Sequence, residues 1–390
     1  MDLPDILRND MPDLRAMRQD LHRHPELGLA EVRTADLVAR ELARYGYCVD
    51  RGIAQTGLVA TLTVGTGRRS IGLRADMDAL PILEESGVPY ASVFPGVMHA
   101  CGHDGHTAML LGAAKSLAER RNFDGTVHLI FQPAEETVGG ARIMVEEGLF
   151  DRFPCDAVFA LHNDPSRPLG QFAVRSGPIM AAVDEALIIL QGRGGHGAEP
   201  EGTLDPIVAG ASLVGALQTI VSRNIPALDQ AVITVGAFHG GSASNIIPDR
   251  ATLLVGIRSF APEIRDRLEH RIREISAGQA ASFGLEATVD YTRSYDATIN
   301  HPIETEMVRE VASRFLGPDK VVDMPRPLMG SEDFAYMLKA RPGSYFFLGA
   351  AAADRPNPGL HHPAYDFNDD LLPIGAGLWV ALVEDYLKPA

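Results

Sequence analysis

A chain of 390 residues exceeds the ~100–200 residues of one ordinary domain, so two domains are expected. Hydrophobic residues at 46% and charged residues at 22% are the balance of a folded globular protein and exclude disordered, collagen-like and coiled-coil classes. With 35 Lys+Arg against 51 Asp+Glu the net charge is −16, which repels nucleic-acid phosphates and anionic membrane surfaces, so neither is expected as a partner.

The stretch through Leu27 carries acids throughout and lacks a basic segment followed by an apolar one, so no signal peptide is read there. Apolar residues at helical spacing predict surface helices over Leu14–Arg23 and Arg33–Arg44, separated by His24-Pro25. Short apolar runs predict buried strands at Leu58–Val64, Ile71–Ala75, Val127–Phe131 and Ala157–Leu161, with helices at Thr107–Arg120 and Gly140–Glu147 among them. That alternation predicts an α/β catalytic domain with a mostly parallel sheet flanked by helices. Further on the order changes to strand Glu185–Gln191, helix Pro206–Ser222, strands Ala231–Phe238 and Ala251–Ser259, helix Pro262–Gly278 and strand Ala287–Tyr291. This βαββαβ order predicts an inserted ferredoxin-like α+β domain. The expected boundaries are 184–294 for the insert, with 1–183 and 295–390 forming the catalytic domain, which resumes with a strand at Tyr345–Leu348. Apolar runs look too short for the ~20 residues of a membrane helix. Three cysteines, an odd number, argue against a disulfide framework and point to a reducing compartment, the cytoplasm.

The densest chemical signal is His99-Ala100-Cys101-Gly102-His103-Asp104-Gly105-His106, a glycine-containing loop before a helix in which thiolate and imidazoles can face one cation. Asp104 is expected to cap that helix. A competing reading makes Cys101 a nucleophile with a histidine base, although such a base generally comes from across the fold. Gln132-Pro133-Ala134-Glu135-Glu136 follows a predicted strand, and ligands of open α/β sheets bind beyond the carboxyl ends of strands. One of two adjacent acids can ligate a metal while the other accepts a proton from water. An isolated pair would instead read as an acidic helix start. His162 follows the strand Ala157–Leu161, and Leu360-His361-His362-Pro363 offers a further pair on a proline-flanked loop. Cys101, His103, Glu136, His162 and one of the final histidines exceed what a single tetrahedral Zn²⁺ with an open position requires, so two metal ions sharing a water are the simpler account.

The strings RADMDALPI, MHACGHDGH, QPAEE, LHND, GGHGAEP, NIIPD, MGSEDFAY and LHHPAYDF, in this order over nearly the whole chain, resemble the hippurate hydrolase and auxin-conjugate hydrolase branch of the aminoacylase-type metallopeptidases. The resemblance implies a di-metal amidohydrolase that splits N-acyl amino acids into a carboxylic acid and a free amino acid. Its cofactors would be two divalent ions, Zn or Mn with Co or Ni as alternatives. Its partner would be a second copy, in a homodimer or a higher oligomer joined through the insert. It further implies Glu135 as general base and Cys101, His103, Glu136, His162 and His361 as ligands, with His362 at a variable position. Asp78 resembles the acid that orients a ligand imidazole, although Asp76 and Asp78 also suit a strand-end turn.

In the insert, His196 of Gly194-Gly195-His196-Gly197 resembles a histidine that reaches an active site, commonly that of the partner subunit, and polarises the scissile carbonyl. The alternative is a glycine-rich hairpin with an exposed imidazole. Pro200-Glu201 stands where the family often has Pro-His. Asn245 and Arg258 are candidates for gripping a substrate carboxylate, against a turn and a surface ion pair. Ser331 is expected to cap a helix with Glu332 and Asp333 in its first turn, and Gly330 to present its backbone to substrate. Three rivals stand beside the amidohydrolase: a metallo-dipeptidase or carboxypeptidase of the same fold, a thiol-dependent hydrolase using Cys101, and a non-catalytic acylamino-acid-binding protein.

Overall fold

The structure, a computed structural model, describes residues 11–389, so part of the signal-peptide reading, on residues 1–10, lies outside the described residues. In chain order the strands are β1 (Cys48–Ile53), β2 (Gly57–Val64), β3 (Ser70–Asp76), β4 (Gly125–Gln132), β5 (Ala157–Pro168), β6 (Phe172–Val174), β7 (Gly177–Met180), β8 (Ala182–Gln191), β9 (Gly195–His196), β10 (Ala231–Gly240), β11 (Ile246–Ile247), β12 (Arg250–Ser259), β13 (Glu286–Tyr295), β14 (Thr298–Asn300), β15 (Val321–Asp323) and β16 (Gly343–Ala351). The chain forms two compact units. One runs to Ile179 and takes in Thr298–Pro327 and everything from Asp333 on, and the other is Met180–Ala297 with Leu328–Glu332.

The first unit is built on an eight-stranded sheet in the order β1-β2-β4-β3-β5-β16-β6-β15. At its centre β4, β3, β5 and β16 run parallel. Antiparallel pairs occur between β1 and β2, β2 and β4, and β16 and β6. Strand β3 is buried at every position, as a parallel strand covered on both faces must be. The helix His103–Arg120 lies against β3, with Met11–Arg23 and Leu372–Tyr386 packed on it. Helix Val32–Arg44 turns Ala35, Val38, Ala39 and Leu42 inward at helical spacing. Leu73, Leu110, Phe159, Phe346 and Trp379 belong to this unit's core.

Strand β3 ends at Asp76 and β4 at Gln132, and their last pair is Asp76↔Gln132. Both chains therefore leave the sheet at one carboxyl edge. The pairing of β5 with β3 ends at Arg74↔Ala160, yet β5 continues to Pro168 beside β16, where Phe347 faces His162. His162 thus lies inside a strand rather than after one, but beyond the reach of β3, at the same edge.

Two capping expectations are corrected. The N-cap of His103–Arg120 is Gly102, with φ +94° and no side-chain cap. A Cβ on Gly102 would lie 2.4 Å from Asn163 Oδ1, so the position requires glycine twice over. Asp104 sits in the first turn, accepts from the Gly105 N–H at 2.9 Å and is otherwise committed to His22. Ser331 caps no helix either. The helix Ala335–Ala340 starts later without a side-chain cap, while Ser331 Oγ accepts from Arg258.

The second unit carries a four-stranded antiparallel sheet in the order β10-β12-β8-β13, with helices Pro206–Thr219 and Pro262–Ser282 inserted to give the chain order βαββαβ. Strand β8 alternates between fully buried and more accessible positions, the pattern of a sheet covered on one face. Its core includes Ile188, Leu190, Leu213, Leu253 and Leu268. Asp205 caps the first helix by accepting from the N–H groups of Ile207 and Val208, and Pro206 supplies the preset φ of its first turn. The stretch Pro206–Asn224, 19 residues of mean hydropathy 1.2, is long and apolar enough to cross a membrane by length and composition, contrary to the expectation that every apolar run is too short. In the fold it lies on the sheet with Leu213, Leu217 and Ile220 buried. Short ladders join β9 to β11 and β7 to β14. Cys48, Cys101 and Cys155 are all free thiols.

Candidate active site

At the carboxyl edge of the first unit's sheet, five side chains from four separate segments bring their donor atoms together. The ligand atoms of Cys101, His103 and His162 all lie within 4.8 Å of one another, as do those of Cys101, Glu136 and His361, and those of His103, Glu135 and Glu136. Cys101 Sγ is 3.4 Å from His162 Nε2, and His361 Nε2 is 3.1 Å from Glu136 Oε1. His361 has a left-handed backbone (φ +64°), and its N–H is held by the Ala100 carbonyl at 2.8 Å, which ties the C-terminal loop to the Cys101 loop. His362 turns instead to its own loop, where its Nδ1 accepts from the Ala364 N–H at 3.0 Å.

The surrounding hydrogen bonds fix which ring nitrogen faces inward. His103 Nδ1 donates to the Asp78 carbonyl oxygen at 2.9 Å, and His162 Nδ1 donates to the Asn163 carbonyl at 2.8 Å. Each therefore turns Nε2, with its lone pair, toward the cluster. The Asp78 carboxylate lies 3.2 Å from His103 Nδ1 and accepts from the Glu136 N–H at 2.9 Å, so it braces both residues. Behind it, Asp76 pairs with His106 Nδ1 at 2.6 Å, and His106 Nε2 meets Asn163 Oδ1 at 2.7 Å. His106 is thereby engaged at both nitrogens, and its ring packs against those of His103 and His162.

A deeper network holds Asp76. Arg74 is 1% exposed and donates to Asp76, to Gln132 Oε1 at 2.7 Å and to Asp333 Oδ1 at 3.1 Å. Gln132 and the Ala141 N–H donate to Asp333 in turn. Sequence pattern alone marks none of Arg74, Gln132 and Asn163 as a site residue and reads Asp333 only as part of a helix start. The available signal is Arg74 itself, a cation inside the apolar run Ile71–Ala75 of a buried strand, which must be paired.

The chemistry of this donor set fits divalent cations. His103 Nε2 is buried without a hydrogen-bond partner and lies 3.7 Å from Asp76 and 3.8 Å from Glu136, so its lone pair faces two carboxylates. Without a cation only a proton relieves that arrangement. Burial opposes protonation, but Asp76, Asp78 and Glu136 outweigh it and push His103 up to about 10. Burial, aided by the charge of His106, drives His162 down to about 3 and keeps it a neutral donor. Burial and the nearby Glu136 and Glu135 hold the Cys101 thiol well above its usual range, which a metal would reverse by binding the thiolate. Glu136, despite its burial, is kept below the usual carboxylate range by His361 and His103. A nucleophilic cysteine needs the opposite environment, with its thiol pKa lowered.

The remaining candidates lie in the second unit. His196 is exposed on β9, and its Nδ1 accepts from the Ala198 N–H at 3.1 Å. The Asn245 carbonyl accepts from the Gly197 N–H at 2.8 Å, beside the pairing of Ile246 with His196. Arg258 donates to Ser331 Oγ at 3.1 Å, and burial lowers its pKa against the pull of Glu185. The Gly330 carbonyl accepts from the Ala181 N–H at 2.8 Å.

Residues 72–385 match peptidase family M20/M25/M40. The chain is 42% identical to the hippurate hydrolase of Campylobacter jejuni over 99% of both sequences. It is 40% identical to IAA-amino acid hydrolase ILR1-like 4 of Arabidopsis thaliana over 97% of this chain and 87% of that one. Among solved structures, it resembles the Bacillus subtilis YXEP protein, described as a dinuclear metal binding peptidase, with a TM-score of 0.84, 32% identity and coverage of 98% of this chain and 100% of the other.

Proposed function

Since the chain belongs to peptidase family M20/M25/M40, we propose that it is a metal-dependent amidohydrolase that cleaves N-acyl amino acids into a carboxylic acid and a free amino acid. The observation that carries this reading is the convergence of Cys101, His103, Glu136, His162 and His361 beside a second carboxylate, Glu135, at the sheet edge.

Those five residues would hold two divalent ions, with Zn or Mn the proposed occupants and Co or Ni as alternatives, because a mixed thiolate, imidazole and carboxylate set suits borderline ions. Bound there, such ions supply Lewis acidity that polarises the acyl carbonyl and acidifies water towards a pKa of about 7. Glu135 takes the proton of the attacking water on its carboxylate and returns it to the leaving amine nitrogen. Asp78 holds the ring of His103 and the backbone of Glu136 in place while charge changes around them. His196 is proposed to donate to the developing oxyanion in the site of the partner subunit, and Asn245, Arg258 and the Gly330 backbone to grip the substrate carboxylate. The dimer would join through the insert, where β10 is an edge strand and Ile207 and Val208 of the adjacent helix are exposed. Three free thiols favour the cytoplasm as its compartment.

A second reading, a metallopeptidase of the same architecture, is favoured by the description of the B. subtilis structure. Turnover of a panel of acetyl, benzoyl, long-chain acyl and indoleacetyl amino acids and of dipeptides, by enzyme of measured metal content, separates the two. Preference for dipeptides would replace the amidohydrolase reading, and no turnover by metal-loaded protein would remove both.

A further inference from the structure

The turn that presents Glu135 is strained and is held from behind. Ala134 is fully buried and adopts a left-handed backbone, φ +54°, a conformation in which a Cβ is disfavoured. Its two peptide groups are both pinned. The Ala134 N–H donates to Glu31 Oε1 at 2.8 Å, and the Ala134 carbonyl accepts from the Gly140 N–H at 3.0 Å. Glu31 is fully buried, and its other oxygen accepts from Thr56 Oγ1 at 2.6 Å. The segment just before Glu31 packs on the same turn, since a Cβ on Gly28 would come within 2.5 Å of Thr137 Oγ1 and 3.0 Å of Ala134 Cα. It also reaches the other carboxylate loop, because the Glu26 carbonyl accepts from the Ala79 N–H at 2.8 Å, one residue past Asp78.

We propose that Glu31 is a positioning residue for hydrolysis: its carboxylate clamps the left-handed turn at Ala134 and so aims the Glu135 carboxylate at the reacting water. This rests on the reading of Glu135 as general base. A buried acid is an expensive way to hold a surface helix, and burial pushes Glu31 up to about 7 despite its hydrogen bonds. An apolar residue of similar size would serve packing alone, so what this position keeps is a hydrogen-bonding head for the Ala134 N–H and Thr56. Proton transfer tolerates little misplacement of the base, so loosening this turn should act on the chemical step more than on substrate binding.

The test compares Glu31→Ala, Glu31→Gln and Gly28→Ala in the full-length, metal-loaded enzyme, reading kcat, KM, bound metal and thermal midpoint for each. Glu31→Gln keeps an oxygen for the Ala134 N–H and an amide for Thr56, so its kcat should stay within threefold of wild type. Glu31→Ala should lose tenfold or more in kcat, with KM and metal content within threefold. Gly28→Ala pushes the same turn from its other side and should show the same split. A crystal structure of Glu31→Ala should show Ala134 released from positive φ. The proposal is overturned by a folded Glu31→Ala with wild-type kcat, by a Glu31→Gln as slow as Glu31→Ala, or by a loss that follows metal content. If Glu31→Ala does not fold, the Gln and Gly28 variants decide on the same criteria. Glu135→Gln, made alongside, separates the two ideas. An active Glu135→Gln fails the general-base reading, whereas an inactive one beside an unaffected Glu31→Ala fails the clamp alone.

Discussion

His22 offers a measurement of how firmly the first turn of the helix His103–Arg120 is anchored. Its ring is fully buried, with Nδ1 donating to Asp104 at 2.9 Å and Nε2 donating to Glu84 at 3.1 Å. Burial and the neighbouring Arg18 resist its protonation, yet the two carboxylates prevail and push it from 6.5 up to about 9. A folded pKa raised above the unfolded one gives stability that is complete below about pH 6.5 and is lost as pH rises through about 9. The shift from 6.5 to about 9 corresponds to about 3 kcal/mol at 1.36 kcal/mol per unit. The assay is urea unfolding of the metal-loaded wild type and His22→Gln from pH 6 to pH 10, followed by Trp379, the single tryptophan, which is buried in the first unit. Glu31, raised to about 7, also titrates in this range, and so does metal binding, but both belong to wild type and variant and cancel in the difference. The stability difference should shrink by about 3 kcal/mol between pH 6 and pH 10. A difference flat to within about 0.5 kcal/mol would refute the charged, doubly paired imidazole.

Glu135→Gln should retain metal and KM while kcat falls by about 10²–10⁴-fold, and loss of metal instead would exchange the roles of Glu135 and Glu136. Chelation should abolish turnover, and Zn²⁺, Mn²⁺ or Co²⁺ should restore it; undiminished turnover by protein shown to be metal-free would end the metal mechanism. Arg74→Met leaves Asp76 and Asp333 buried without the guanidinium they share, and should destabilise the first unit by about 3–5 kcal/mol in the same Trp379 assay, with under 1 kcal/mol arguing against the network. Mixing His196→Ala with Glu135→Gln under proven subunit exchange should return activity above either parent if His196 acts across the dimer, and no recovery would place it within its own subunit or outside catalysis.

Most strands and helices were readable because their signals are local. β3 is a short apolar run, and Val32–Arg44 repeats its buried face every three to four residues. The donor cluster was readable because loops that leave a sheet at one edge must meet there. Errors arose where a distant partner decides. The apolar run Ala157–Leu161 alone places His162 after its strand, but β16, which arrives nearly 200 residues later, extends that strand past it. Asp104 has the composition of a cap, but His22, 82 residues earlier, claims its carboxylate. Glu31 left no pattern at all, since a carboxylate in a helix-start loop acquires meaning only from the peptide N–H it meets 103 residues on.

The place of β16 in the sheet has a consequence for how the enzyme is made. It lies between β5 and β6, so a chain emerging from the ribosome completes both of its neighbours, and the whole of the second unit's sheet, before the strand that separates them exists. Until then β5 is an open edge of apolar backbone, the kind of surface that recruits other chains. His361 comes later still, so the donor set remains short of one imidazole even after β16 has been made. A chain stalled before β16 therefore carries an aggregation-prone edge and an incomplete donor set together.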